Sequence, residues 1–417
     1  MQRPFLTDRL APFGTSIFSE MTRLAVEHDA VNLAQGFPDF DGPPALIEAV
    51  STAMLEGHNQ YARSMGHPLL VQALARQQAA RYGLAYDPMT EVVVTSGATE
   101  AIAAAMLGLL RQGDEVILIE PFYDSYPACV ALCGARPRYL TLRFPDFRLC
   151  PDELAALITP ATRAIMLNTP HNPTGRVFSR EELAGVAKLA REHDLWVISD
   201  EVYEHLTYDG LAHLPIASLP GMRERTLTIS SAGKTFSVTG WKVGWCFGPA
   251  AMVAAVQAAH QFLTFATSTP MQVGLARFLD QLDASFFSEL TAAYTARRDA
   301  LLGMLRGVGF ELAPSQGTYF LTGSFHALSS LDDRAFAATL VRDIGVAAIP
   351  PSVFYAARPQ EARHLLRFAF CKQPATLARA AERLRALHAS GPAQGRGPGS
   401  EPLAGPAGLP DLPGLLG

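Results

Sequence analysis

The sequence predicts an α/β protein: a large domain with a mostly parallel sheet sandwiched by helices, followed by a smaller α/β domain. Three observations predict it. Between residues 91 and 229, short apolar runs rich in β-branched residues alternate with helical patterns. The runs at 91–95, 115–119, 163–167, 195–199 and 226–229 lack polar alternation, which marks strands covered by helices on both faces. Beyond residue 307 a second, smaller set appears, with strands near 310, 319–321, 346–348 and 365–368 and helices near 333–343 and 375–388. The 417 residues suffice for two or three domains.

In chain order, 16–28 reads as a short amphipathic helix. Residues 32–41 are irregular and contain Gln35-Gly36-Phe37-Pro38-Asp39-Phe40. Helical patterns cover 44–56, 67–82, 98–110 and 126–132. Ser179 with Glu182 forms a capping box for a helix running to about 192. The 243–247 run follows the 226–229 strand closely enough to return antiparallel, and 249–307 is largely helical. The expected organisation is an N-terminal segment at 1–45 packing with the small domain, a large domain at 46–285, a small domain at 286–390, and a tail at 391–417. That tail is rich in Gly and Pro and too poor in aromatics to fold alone.

Composition excludes several classes. A net charge of −5 gives no general basic surface for nucleic acid or anionic membrane. The longest apolar run, 101–110, is far short of the roughly 20 residues a membrane span needs. Met1 to Asp8 lacks the apolar core of a signal peptide. The cysteines at 129, 133, 150, 246 and 371 are scattered, and no nearby ligands complete a zinc site around Cys129 and Cys133. Reduced thiols in a cytoplasmic protein are expected.

The chemistry centres on Ser230-Ser231-Ala232-Gly233-Lys234-Thr235-Phe236, a small-residue turn after an apolar strand. Lys234 there is a solvated loop residue, a phosphate-loop lysine, or an amine that condenses with a carbonyl cofactor. A phosphate loop requires glycine where Thr228 stands and a helix where 237–241 follows. Asp200 ends another strand, in Ser199-Asp200-Glu201-Val202-Tyr203, and Tyr203 lies one turn on. Alone it would be a helix cap. Asn172 sits in Asn168-Thr169-Pro170-His171-Asn172-Pro173-Thr174-Gly175, by itself only a good turn. Gly97-Ala98-Thr99 opens a helix whose free N–H groups suit a phosphate. Together the set has one economical explanation, pyridoxal 5'-phosphate. Lys234 supplies the amine, and Asp200 an anion for the pyridine nitrogen. Asn172 and Tyr203 supply hydrogen bonds to the ring oxygen. Gly97, Ala98, Ser231 and Lys242 form a phosphate cradle. The phenol and the cation would also lower the proton affinity of Lys234.

At these residues the sequence resembles the fold-type I, class I pyridoxal-phosphate aminotransferases. It is most similar to the branch holding kynurenine aminotransferase, glutamine transaminase K and bacterial methionine aminotransferases. Further matching stretches are Asn32 to Phe40, Asn59-Gln60-Tyr61, Glu120-Pro121-Phe122-Tyr123-Asp124, Thr239-Gly240-Trp241-Lys242-Val243-Gly244-Trp245 and Leu366-Arg367-Phe368. The resemblance implies that Lys234 is the Schiff-base lysine and proton shuttle and that Tyr123 stacks on the ring. Tyr61 would reach the phosphate of a neighbouring subunit, making the active unit a homodimer. Arg367 would grip the substrate α-carboxylate, which Gly36 lets the backbone approach. Phe18 and Phe265 would contact the substrate. The small Thr99 and Ala266, where kynurenine-preferring members carry an aromatic and a histidine, argue against a strict kynurenine preference and for a roomy pocket that suits methionine, glutamine, phenylalanine and similar amino acids equally. The implied reaction is ping-pong transamination between an L-amino acid and a 2-oxo acid. Cysteine-S-conjugate β-lyase activity on the same site is the alternative. A non-catalytic, cofactor-sensing regulator is the contrasting class; the roughly 30 residues before Gly36 are too few for a separate stable domain.

Overall fold

The structure is a computed structural model and describes residues 5–14 and 16–389. The tail expected at 391–417 lies outside the described residues. The apolar runs form the strands Val92–Thr95, Glu115–Glu120, Thr162–Asn168, Trp196–Asp200 and Thr226–Ser231. Arg136–Thr141 and Gly244–Phe247 complete a seven-stranded sheet. Its order from one edge is 92–95, 244–247, 226–231, 196–200, 162–168, 115–120, 136–141. Gly244–Phe247 runs antiparallel to both its neighbours, and the other pairings are parallel.

The runs are continuously apolar because each strand feeds two cores. Ile117, Ile165 and Val197 pack under the helix Arg180–Glu192, with Leu183, Val186 and Ala190. Leu118, Met166 and Ile198 face the opposite way, toward Ile102, Val130 and Val253 of the helices Gly97–Leu109, Ser125–Cys133 and Ala250–Leu263. Successive residues point to opposite faces, so a strand buried on both sides has no polar positions. The capping box at Ser179 and Glu182 is present, each side chain accepting a backbone N–H from the other residue.

Arg136–Thr141 was not anticipated. It lies at the sheet edge with only its last two residues buried. An edge strand keeps polar residues and tolerates Pro137, so it carries no continuous apolar signal. The 333–343 helix also differs: Asp333–Thr339 is α-helical, and Leu340–Ile344 widens into a π-turn.

A smaller unit packs beside the sheet. Phe320–Ser324 pairs antiparallel with both Leu365–Ala369 and Glu311–Leu312. Val31–Asn32 adds parallel to Val346–Ala347, so the N-terminal segment shares this unit's core. Leu301 and Leu305 of Phe286–Gly307 and Leu377 and Leu384 of Pro374–Ala389 lie in the same core. Glu120 ties the two parts together. Its buried carboxylate accepts backbone N–H groups from Ala356 at 2.7 Å, Ala357 at 3.0 Å and Arg358 at 3.2 Å, and the Thr141 hydroxyl at 2.7 Å. Among the described residues no helix is long and apolar enough to cross a membrane.

Two registers position the site. Asn168 pairs with Asp200, and Asp200 with Ile229, so these strand ends lie level. Gly244 stands opposite both Thr95 and Ser231.

Candidate active site

A cleft opens at the carboxyl ends of the strands, against the smaller unit. It has two joined parts of about 200 and about 220 Å³, which share Tyr123, Asn172, Tyr203, Lys234 and Thr239. Asp200, the last residue of its strand, lies in the wall of the first part. Its Oδ2 accepts the Tyr126 hydroxyl at 2.7 Å and its Oδ1 the Val202 N–H at 3.3 Å. Burial pushes this carboxyl up to about 6, against the Tyr126 hydrogen bond and the Lys234 charge.

Lys234 sits on a one-turn helix, Ala232–Thr235, rather than in the open turn expected from its sequence. It borders both parts of the cleft. Its Nζ lies 5.9 Å from the Tyr203 ring centre and 5.7 Å from that of Tyr319. Burial pushes the amine down to about 8; Lys242 and Arg367 act in the same direction, and Cys371 and Asp200 oppose it. The direction is the expected one, but desolvation is the larger cause, not the neighbouring phenol and cation. Among the described residues no carboxylate lies within 4.0 Å of Nζ, Asp200 included.

The first part of the cleft ends in a cradle. Gly97 opens its helix with φ +78°, and a β-carbon there would stand 3.3 Å from Lys242 Nζ. Lys242 is exposed and makes no ion pair among the described residues. Ser231 lines the same wall. Gly244 lets the pieces meet: a β-carbon on it would lie 2.5 Å from the Gly97 carbonyl carbon and 2.7 Å from the Ala98 nitrogen. An uncommitted amine, a facing carboxylate and a cradle with an unpaired cation fit pyridoxal phosphate.

The second part ends at Arg367, which is buried among the rings of Phe320, Phe18 and Phe354 at 4.1, 5.3 and 5.4 Å. Its Nη1 donates to Asn172 Oδ1 at 3.1 Å and its Nη2 to the Ala34 carbonyl at 3.0 Å. Its Nε is buried without a partner. Because Asn172 Oδ1 is taken by Arg367, the amide nitrogen of Asn172 remains for the cleft. Tyr203, fully packed beside Tyr319, has its hydroxyl pushed far up by burial. Phe18 and Gly36 line this part, and the Tyr319 hydroxyl donates to the Gly36 carbonyl at 2.5 Å. The Gly36 α-carbon packs against Phe320, whose ring a β-carbon would meet at 2.6 Å.

Tyr61 and Phe265 are not brought into this chain's cleft. They meet edge-to-face at 5.2 Å on the surface, 84% and 49% exposed. Sequence reasoning missed Tyr126, Asn168, Thr239, Phe320 and Phe354. Asn168 fixes the Asn172 turn by accepting its N–H at 2.8 Å and donating to the Asp200 carbonyl at 2.8 Å. The signal for Asn168 was available, since it ends a strand level with Asp200. Nothing in the runs around Phe320 and Phe354 separates them from ordinary core.

The pH dependence of cofactor capture follows from these shifts. The amine must be neutral to attack a carbonyl, which places its reactive form above about pH 8. The Asp200 carboxyl is already ionised there. Uptake of pyridoxal phosphate by the apoprotein, followed by absorbance, should therefore accelerate as pH rises through about 8. Acceleration only near pH 10, the ordinary range of lysine, would contradict the burial argument.

Comparison with known proteins shows the family. The family model "Aminotransferase class I and II" matches residues 28–384. A probable N-succinyldiaminopimelate aminotransferase of Mycobacterium tuberculosis is 48% identical over 91% of this chain and 98% of its own length. The solved structure of the N-succinyldiaminopimelate aminotransferase from that organism superposes with a TM-score of 0.88, covering 92% of this chain and 100% of the other. Methionine aminotransferase of Escherichia coli is 43% identical over 91% of this chain and 97% of its own. Human kynurenine–oxoglutarate transaminase 1 is 40% identical over 88% and 94%. The chain belongs to the class I and II aminotransferase family and is a class I aminotransferase that uses pyridoxal phosphate.

Proposed function

We propose that this aminotransferase moves the amino group of a neutral L-amino acid, of the methionine, glutamine, aromatic or kynurenine type, to a 2-oxo acid. One observation carries the reading. Arg367 is a buried guanidinium with no carboxylate within 4.0 Å among the described residues and with an unpaired Nε. A desolvated cation without an anion is costly unless a ligand supplies one. An α-carboxylate, common to amino acids and 2-oxo acids, suits its planar fork. The surroundings support a neutral side chain: the second part of the cleft is walled by Phe18, Phe37 and Phe320, with no cation other than Lys234 and Arg367 in its lining.

In this reading Asp200 would present its charge to the pyridine nitrogen, Asn172 and Tyr203 would hydrogen-bond the ring oxygen, and Tyr123 would cover a ring face. Ser231, Lys242 and the Gly97-Ala98 turn hold the phosphate. The bound cofactor supplies a carbonyl for the amino group and an electron-accepting ring. Arg367 orients the substrate so that its α-hydrogen faces Lys234, and the lysine amine takes that proton and returns it as a general acid. The exposed aromatic side chains Tyr61, Phe262 and Phe265 support a homodimer in which Tyr61 serves the neighbouring site. Sedimentation should show a two-chain particle; a monomer with full activity would contradict that arrangement.

A second reading, transfer from N-succinyl-2,6-diaminopimelate, is favoured by the 48% identical relative. A donor panel separates the two. L-methionine, L-glutamine, L-phenylalanine, L-kynurenine and the succinylated donor are each tested with 2-oxoglutarate, pyruvate and 2-oxo-4-methylthiobutanoate. A neutral donor should exceed the succinylated one by roughly ten-fold or more in kcat/KM. The reverse order overturns the neutral-donor reading.

A further inference from the structure

The wall of the second part of the cleft holds a side-chain amide whose orientation the surrounding hydrogen bonds settle. Gln35 lines the second part of the cleft, one residue after the Ala34 carbonyl that receives Arg367. One terminal atom of its amide lies 3.1 Å from the Phe18 carbonyl oxygen and 2.5 Å from Thr22 Oγ1. A carbonyl only accepts, so that atom is the amide nitrogen. Thr22 agrees. Its own hydroxyl hydrogen is spent on the same Phe18 carbonyl at 2.8 Å, which leaves Thr22 Oγ1 an acceptor toward Gln35. Both amide hydrogens are therefore committed to the helix Ile17–Glu27. The Gln35 oxygen takes no hydrogen bond from the described residues and is not among the enclosed polar atoms. A flipped amide would set its oxygen against the Phe18 carbonyl oxygen, which only accepts, so that carbonyl fixes the orientation.

We infer that Gln35 is a specificity-determining residue that presents a fixed hydrogen-bond acceptor, and no donor, to the substrate side chain. This rests on the amino-acid reading of the cleft given above. The substrate class it selects has a side chain ending in an N–H donor, a carboxamide or an arylamine. An acceptor facing a carboxylate repels it, which sets acidic side chains apart, and a thioether or hydrocarbon end gains nothing from the contact. Phe18 and Phe37 remain to pack the stem of any of these side chains. Glutamine and methionine are close in length and differ mainly in this end group, so the pair isolates the effect.

The experiment compares kcat/KM for L-glutamine, L-kynurenine, L-methionine and L-phenylalanine in the wild type, Gln35→Leu and Thr22→Val holoenzymes. Gln35→Leu should lower the glutamine-to-methionine and kynurenine-to-phenylalanine ratios by roughly five- to ten-fold, mainly through KM of the N–H donors. Thr22→Val removes the acceptor that helps lock the amide and should shift both ratios in the same direction by a smaller factor. It also serves if Gln35→Leu does not fold. Ratios unchanged in the folded variants, with all four donors falling together, would overturn the role of Gln35 while leaving the neutral-donor reading standing. A wild type that turns over none of the four donors would overturn that reading itself.

Discussion

An amine and a carboxylate share one cleft without pairing, and much of the architecture serves to keep them apart. At an effective dielectric near 20, opposite charges about 4 Å apart attract by about 4 kcal/mol, so two such groups left free would close on each other. Here the Tyr126 hydroxyl and the Val202 N–H hold Asp200 at its strand end. Lys234 is held away on a helical turn whose Ala232 N–H donates to the Val243 carbonyl at 3.0 Å. The parallel register that levels Asn168 with Asp200 sets one side of the gap. The Gly244 pairing, to Ser231 on one side and Thr95 on the other, sets the cradle end. The shifts of both groups toward neutrality express the cost of this arrangement, which a cofactor held by the two would relieve. Charges prearranged in a site from which water is excluded are worth more at the reacting centre than the same charges in water.

Arg367 repeats the principle in the smaller unit. Three aromatic faces and two neutral acceptors hold the guanidinium, and among the described residues no carboxylate pairs with it. Glu120 contributes from the sheet side. By gathering the N–H groups of 356–358 it fixes the segment that carries Phe354 beneath the guanidinium. The second part of the cleft thus draws on distant stretches, with Phe18 and Gln35 near one end of the chain and Arg367 near the other.

Much of this was legible in the sequence because doubly covered strands leave continuous apolar runs, and because the polar residues of the cleft gather where those runs stop. Lys234, Asp200 and Asn172 could be found that way. Arg136–Thr141 could not, since an edge strand has no need of such a run. Tyr126 was hidden behind Tyr123, its neighbour on the first turn of the same segment; only the Asp200 contact distinguishes them. Phe320 lines the cleft and Phe354 backs Arg367 through the packing of the smaller unit, which no local pattern encodes. Gln35 stood within a recognisable stretch, but the direction of its amide depends on Thr22 and the Phe18 carbonyl, a relation visible only in three dimensions. Tyr61 and Phe265 came from family resemblance alone, and within one chain they are not part of the cleft lining.

The central claim is that Lys234, and no other amine near the cleft, carries the cofactor. Borohydride reduction of the holoenzyme followed by peptide mass mapping tests it most directly. The account predicts the added pyridoxyl phosphate mass on Lys234 alone. The same mass on Lys242 or Lys372, with Lys234 unmodified, would contradict it.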